Sequence, residues 1–282
     1  MTQTLPQSST KKPVNLLVRL NQEYHKLCLH LDISKYSQKI MWHYFSQGKF
    51  YEPEESKFLE RVLKPGDTFI DIGAHIGYYS LLAAILIGET GRVISIEPDK
   101  TNINWIQDHI TLNQFRQIEA IPTVLGSETK PVEFFYNADN DGGHALWDVG
   151  LHQFNKISRS HPQTSTLSMT TLDEVVRDKG LTGVKLIKID TEGAEYQVLQ
   201  GSLKTLTTYQ VPYIIAEINR FALNKMGTDE KQLREFMASL GYSPYLLRNE
   251  SPHWVKLSPD QYYNSQYVFN LVFALSDELE FT

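Results

Sequence analysis

The stretch that most constrains this chain is Thr68-Phe69-Ile70-Asp71-Ile72-Gly73-Ala74-His75-Ile76-Gly77-Tyr78-Tyr79-Ser80. An apolar run ends in an acid and a glycine, a second glycine follows four residues later, and apolar residues continue from Leu81 to Ile87. This order predicts a buried strand, a tight turn and a helix whose N-terminus faces the turn. Gly73 and Gly77 lack a Cβ, so a ligand can approach the backbone there closely. Asp71 stands at the strand's carboxyl end, where a dinucleotide fold holds a phosphate. A carboxylate in that place repels a pyrophosphate and attracts a cation.

The same alternation continues downstream. Apolar strands are expected at Arg92–Ile96, Ile118–Leu125, Val132–Tyr136, Val184–Asp190, Tyr213–Ile218, Tyr242–Leu247 and Tyr267–Leu275. Helices are expected at Lys100–Leu112, from Ala194 to about Gly201, and at Asp229–Leu240. Strands alternating with helices predict an α/β fold, doubly wound, with a mostly parallel sheet covered on both faces. Thr171-Leu172-Asp173-Glu174 fits a capping box opening a short helix. The polar segment from Asn137 to Thr164 is long for a connection in a compact domain, which marks it as functional or disordered.

Upstream of the opening motif, the polar residues 1–13, with Pro6 and Pro13, read as a disordered tail. Residues 14–60 read as an N-terminal helical cap or lid, with Leu16, Leu17, Leu20, Tyr24, Leu27 and Leu31 at helical spacing. A second helix is expected at Ser37–Phe45 and a third at Glu54–Leu63. Residues 61–282 then form the main domain.

Composition narrows the function classes. A net charge of -6 offers no basic footprint for nucleic acid. The single cysteine, Cys28, excludes an intramolecular disulfide and reads as a core residue. The N-terminus is polar, without a signal-peptide core, and the apolar run at Leu81–Ile87 is far shorter than a membrane span. A soluble cytoplasmic protein with no membrane partner is expected.

Asp71, Glu97, Asp190 and Glu217 all fall at or near the carboxyl ends of expected strands, where ligands of doubly wound sheets bind. Glu97, followed by Pro98, stands where an acid hydrogen-bonds the hydroxyls of a ribose. Nicotinamide and S-adenosylmethionine sites share that feature, and the glycine spacing separates them. Asp71 replaces the first glycine of the dinucleotide fingerprint, which suits a ligand carrying an ammonium and a sulfonium. A nicotinamide-dependent oxidoreductase is the alternative from a different class.

Several further pieces carry a family resemblance. They are Gly48-Lys49-Phe50-Tyr51-Glu52, Pro65-Gly66-Asp67, the opening motif, Glu97-Pro98, Leu112-Asn113 and Thr171-Leu172-Asp173. Lys188-Ile189-Asp190-Thr191-Glu192-Gly193-Ala194-Glu195, Val198-Leu199-Gln200-Gly201 and Ala216-Glu217-Ile218 complete the series. Over residues 48–248 the chain resembles the FkbM-type class I methyltransferases. The resemblance implies a Rossmann-like, mostly parallel seven-stranded sheet and S-adenosylmethionine-dependent O-methylation of a small-molecule, peptide or glycan natural product. It implies cofactor contacts from Asp71, Gly73, Ala74, His75 and Gly77, from Glu97 and Pro98 at the ribose, and from Val124 at the adenine. Tyr51 and Glu52 would close over the methionine end. His75 departs from the family's asparagine, a change of little consequence if that position works through its backbone N–H.

A hydroxyl acceptor needs its proton removed, so a base is expected near the methyl group. Asp190 is the first candidate for the active centre and Glu192 the second; His144 is the imidazole candidate. Asp190, Glu217 and Asn219 offer oxygen ligands that suit magnesium, although a metal is not the favoured reading. If the acceptor is a carboxylate, the product is a methyl ester and no strong base is required. The acceptor is expected to be read by the loop from Asn137 to Thr164, the N-terminal segment and the region from Asn249 to Gln266.

Overall fold

The computed structural model describes residues 10–20, 23–247, 254–258, 260–263, 265 and 268–275. It opens with an antiparallel hairpin, β1 (Lys11–Leu20) and β2 (Glu23–Asp32), in which Leu20 pairs with Glu23. Helices α1 (Tyr36–Phe45) and α2 (Pro53–Val62) follow. Next come β3 (Thr68–Ile72), α3 (Tyr78–Ile87), β4 (Arg92–Ile96), α4 (Lys100–Asn113), β5 (Ile118–Ile121), β6 (Val124–Leu125) and β7 (Lys130–Tyr136). A 3-10 turn at Val149–Leu151 leads to α5 (Lys156–Ser160), β8 (Gln163–Thr170) and α6 (Leu172–Asp178). The chain continues through β9 (Leu186–Ile189), α7 (Glu195–Gln200), α8 (Leu203–Tyr209), β10 (Tyr213–Ile218), α9 (Arg220–Lys225) and α10 (Glu230–Ser239). It closes with β11 (Ser243–Leu246), β12 (Val255–Lys256) and β13 (Phe269–Ala274).

The central sheet has the order β12-β11-β13-β10-β9-β3-β4-β5. Strands β10, β9, β3, β4 and β5 run parallel, while β13 is antiparallel to both β10 and β11. The expected doubly wound α/β architecture is therefore present, with the short β12 making an eighth strand among the described residues. The chain leaves β3 toward β4 and β5, then returns to β9 on β3's other side. This puts the topological switch point between β3 and β9, where strand-end loops diverge.

Alternate residues of each strand feed two cores. Phe69, Val93, Leu186, Ile215 and Val272 pack with α3, while Ile70, Ile72, Ile94, Ile187, Ile189 and Ile214 pack with α6, α7, α8 and α10. Every residue of α3 is buried, because the hairpin, α1 and α2 cover the side that the sheet does not.

The expected helix over Val14–Leu31 is corrected to that hairpin. Val14, Leu16 and Val18, then Leu27, Leu29 and Leu31, are buried at a period of two. Leu17 and Tyr24, which also fit helical spacing, point into solvent. Cys28 lies on the hairpin's half-buried side rather than in the core. Residues 1–9 of the expected tail lie outside the described residues, and Lys11–Pro13 belong to β1. The helices expected at Ser37–Phe45 and Glu54–Leu63 form as α1 and α2.

The segment from Ile118 to Leu125 splits into two. Its first half joins the central sheet, and Val124–Leu125 pairs with β8 in a separate sheet of order β6-β8-β7. The expected long loop is built rather than open, holding the 3-10 turn, α5 and the start of β8. Asn137 and Asp139 organise it by accepting hydrogen bonds from the backbone N–H groups of Asp139, Asn140, Ile157 and Ser158.

Candidate active site

The turn after β3 is locked onto β4. Gly73 and Ala74 both donate their N–H to the Ile96 carbonyl, at 2.9 and 3.1 Å, and Gly77 donates to Ala74 at 2.8 Å. Gly73 cannot be replaced there, since a Cβ would lie 1.7 Å from the carbonyl oxygen of Asp190 in the neighbouring strand-end loop. His75 adopts left-handed backbone, φ 52°, and donates its N–H to Glu97 Oε2 at 2.8 Å. Glu97 Oε1 accepts from the Asp99 N–H at 2.8 Å. Burial pushes the Glu97 carboxyl up to about 7, against the pull of the Asp99 amide and of His75. Each carboxylate oxygen retains a free lone pair.

These residues open onto a cleft lined by Gly73, His75, Glu97, Pro98, Val124, Leu125, Phe134, His144, Ala145, Leu146 and Asp190, among others. One wall is apolar. Phe135 and Ala145 exchange backbone hydrogen bonds, which folds the loop back on β7 and sets Ala145 and Leu146 over the cleft. The same loop is tied to α1. Asp141 accepts from the Ser37 N–H, from Gln38 Nε2 and, at 3.0 Å, pairs with His75 Nε2. Burial would raise the Asp141 carboxyl, but these partners, His75 foremost, bring it down to about 2.

His144 lines the cleft, but its geometry corrects the expectation of a base. Its Nδ1 accepts the Asn137 N–H at 2.9 Å, so in the neutral ring the proton sits on Nε2. Burial lowers its pKa and keeps the ring neutral. His144 therefore presents a donor to the cleft.

A second group of side chains gathers beside β9. Lys188, a residue that sequence reasoning placed only within a motif, is 2% exposed and donates to Asp190 Oδ2 at 2.6 Å. Its ammonium lies 4.6 Å above the Tyr79 ring. Tyr79 in turn donates its hydroxyl to Glu52 Oε2 at 2.7 Å, which brings Glu52, in left-handed backbone at φ 41°, into the group. Burial raises the Glu52 carboxyl, opposed by Lys188. Tyr51 packs edge-on against Tyr78, and burial raises its hydroxyl well above the usual range.

The loop after β9 turns on backbone that favours glycine. Glu192 has φ 51° and Gly193 φ 110°, where a Cβ would meet the backbone of Ala222 at 2.6 Å. Glu195 pins this loop from below, accepting from the N–H groups of Thr191 and Gly193 and from the Thr191 hydroxyl. Glu192 Oε2 accepts from Asn219 Nδ2 at 3.0 Å, and Asn219 Oδ1 caps α9. Burial, then the charges of Asp190 and Glu195, push the Glu192 carboxyl up to about 8. Glu217, beside it, is raised well above the ordinary carboxylate range by burial and by Glu192, and its Oε2 is buried without a hydrogen-bond partner among the described residues.

Asp71 is placed differently from expectation. It is completely buried beneath the turn, accepts from the Ser80 hydroxyl at 2.7 Å, and leaves Oδ1 unpartnered among the described residues. Its carboxylate supports the turn and faces Lys188 rather than lining the cleft. Ala74 and Gly77 likewise shape the turn, their amides being used on Ile96 of β4 and on Ala74. The His75 N–H is used on Glu97, and its side chain adds the tie to Asp141. Of the candidate magnesium ligands, Asp190 is engaged by Lys188 and Asn219 by Glu192 and α9, while Glu217 Oε2 has no hydrogen-bond partner among the described residues. Among the described residues no group of three or more His, Cys, Asp or Glu is arranged to hold a metal ion. Nor is any described helix long and apolar enough to cross a membrane.

Residues 71–244, from the acid of the first turn to β11, match the family model described as "Methyltransferase FkbM domain". The chain belongs to the FkbM methyltransferase family. The family segment contains the cleft, Lys188 and the loop from Asp190 to Glu195, while the hairpin, α1 and α2 precede it. A curated relative, "Methyltransferase 1" of Beauveria bassiana (strain ARSEF 2860), is 25% identical over 150 residues. That match covers 49% of this chain and 59% of the relative, so the chain spans less than two thirds of the relative's length. Among solved structures, methyltransferase FkbM from Methylobacillus flagellatus KT aligns with a TM-score of 0.44 at 16% identity, covering 79% of this chain and 51% of that one. A SAM-dependent O-methyltransferase from Thermotoga maritima aligns at 0.42 and 10% identity, covering 93% and 77%.

Proposed function

We propose that this FkbM-family chain is an S-adenosylmethionine-dependent O-methyltransferase acting on a neutral hydroxyl of a small-molecule, peptide or glycan natural product. The observation that carries the reading is the carboxylate group formed by Asp190, Glu192 and Glu217 at the ends of β9 and β10. A carboxylate acceptor needs no base, whereas Glu192, raised to about 8, is a carboxyl poised to take a proton near neutrality, which favours a hydroxyl acceptor. The family match leaves the nicotinamide reading without support.

The residues fit the cofactor at both ends. Glu97 keeps lone pairs for ribose hydroxyls beside the apolar wall of Val124, Leu125 and Phe134. The excess of buried carboxylate over Lys188, with the unpartnered Glu217 Oε2, suits a ligand bearing positive charge. Bound there, S-adenosylmethionine supplies an electrophilic methyl group on a sulfonium. Glu192, held by Asn219, receives the acceptor's hydroxyl proton, its pKa of about 8 matching a base that works near neutrality. Lys188 fixes Asp190 at the cleft's end, and Trp147, whose Nε1 donates to the Glu192 carbonyl, shields the loop from water.

The test is methyl transfer to a panel of hydroxyl and carboxyl acceptors, followed by mass, with wild type and Glu192→Gln. The expected rate rises with pH through about 8 in wild type and falls about 10²–10⁴-fold and flat with pH in the variant. Turnover of carboxyl acceptors alone, at a rate indifferent to Glu192→Gln, overturns the assignment.

A further inference from the structure

Asp141 is held from two elements at once. Ser37 donates its N–H to Asp141 Oδ1 at 2.8 Å and Gln38 Nε2 donates to Oδ2 at 3.0 Å, both from α1. His75 Nε2 approaches the same Oδ2 at 3.0 Å from the turn after β3. Next to it, Asn140 Oδ1 accepts the Ser37 hydroxyl at 2.5 Å and the Asn140 carbonyl accepts the Gly143 N–H. The bonds to α1 anchor the loop to the body of the protein. The bond to His75 does something else, because it joins two segments that both line the cleft: the turn with Gly73 and His75, and the loop with Gly142, His144, Ala145 and Leu146.

Burial works to raise the Asp141 carboxyl, yet its partners hold it at about 2, so it stays ionised. A carboxylate only accepts, and His75 Nε2 therefore carries a proton whether the ring is neutral or charged. The bond holds in either state. With side chains 14% and 11% exposed, the pair is also sheltered from the screening that leaves surface ion pairs weak. His75 meanwhile donates its backbone N–H to Glu97 Oε2. One residue thus sets both the acid at the end of β4 and the loop that walls the same cleft.

We propose that His75 is a positioning residue whose ring, clasped by Asp141, fixes the loop from Gly142 to Leu146 against the turn and so raises the affinity of the cleft for its cofactor. A wall already fixed before binding has little conformational freedom left to lose when the ligand arrives. The backbone bonds between Phe135 and Ala145 pin the far end of this loop to β7, and Asp141 anchors the near end. Of the three donors on Asp141, only His75 relates the loop to the turn that carries Glu97's partner N–H. This inference rests on the reading of the cleft as the S-adenosylmethionine site.

The test titrates the full chain with S-adenosylhomocysteine by calorimetry and unfolds the same proteins in urea. His75→Leu is expected to weaken binding on the order of tenfold, the worth of one hydrogen bond to a charged group. His75→Gln, whose amide still donates to Asp141, is expected to recover most of that loss; both side chains are unbranched at Cβ, so the left-handed backbone strains them alike. Asp141→Ala should weaken binding at least as much as His75→Leu, and combining the two should cost little more than Asp141→Ala alone. His75→Ala, too small to clash, stands in if His75→Leu does not fold. Wild-type affinity in His75→Leu overturns the proposal even if its urea midpoint falls, since the tie is then structural only. Equal losses in His75→Leu and His75→Gln overturn it too, as do additive losses in the double variant. Failure of wild type to bind S-adenosylhomocysteine would sink the cofactor reading and the clasp together, whereas equal binding by wild type and every variant would sink the clasp alone.

Discussion

Lys188 Nζ lies 2.6 Å from Asp190 Oδ2 at the switch point of the sheet, and the lysine side chain is almost completely buried. Burial works to discharge it, yet Asp190, Glu52 and Asp71 hold it charged, its pKa above the ordinary lysine range. One cation thereby makes a cluster of carboxylates tolerable inside the fold.

Lys188→Met should therefore cost about 3–5 kcal/mol of stability near pH 8, read by urea unfolding. The loss should shrink toward pH 5. Without the lysine the carboxylates' folded pKa values rise further above their unfolded ones, the folded state binds more protons, and stability falls as pH rises. A loss independent of pH would mean that packing of the lysine stem matters more than its charge.

Glu192 presents the opposite balance. Its folded pKa of about 8 exceeds the ordinary glutamate value of 4.5, so folding is penalised by its ionisation above about pH 4.5, at ~1.4 kcal/mol per pH unit until the folded pKa is reached. Glu192→Gln should raise stability at pH 8 while it lowers methyl transfer, and the gain should vanish below pH 4.5. Thermal unfolding of both proteins across that range checks this; a variant less stable than wild type at pH 8 would contradict it.

Two glycines with positive φ should respond very differently to alanine. At Gly73, φ 77°, the new Cβ would sit 1.7 Å from the Asp190 carbonyl, and at Gly180, φ 58°, it would meet open space. Gly180→Ala should cost about 1–2 kcal/mol from the left-handed backbone alone. Gly73→Ala should cost more than that and abolish S-adenosylhomocysteine binding, measured by calorimetry.

His109 fastens the hairpin to the turn that builds the cleft. It is fully buried; its Nδ1 donates to the Ile76 carbonyl at 2.9 Å and its Nε2 accepts the His30 N–H at 3.1 Å. His109→Leu leaves both groups unpaired, at about 1–3 kcal/mol each. Burial lowers the His109 pKa, so wild-type stability from this group is present above the unfolded pKa near 6.5 and lost as pH falls below it. The variant should lack that acid-side loss, as denaturant titrations at pH 7.5 and 5.5 would show.

The strand-turn-helix around Gly73, the acids at the strand ends and the run from Lys188 to Glu195 were legible from residue order, because each is a local pattern. Apolar runs ending in an acid or glycine form strands that turn where they must, whatever surrounds them. The hairpin was not legible, since Leu16, Leu20, Tyr24, Leu27 and Leu31 satisfy a helical period and only burial against α3 selects the alternate set. Roles were decided in the same way. Asp71 and Asp190 look alike in sequence, but the sheet buries the first beneath the turn and leaves the second at the cleft. The Asn137 N–H on Nδ1 makes His144 a donor, and burial, then the charges of Asp190 and Glu195, make Glu192 basic against the pull of Asn219. Sequence determines which groups are available; desolvation and neighbouring charge, which exist only after long-range packing, determine what each can do.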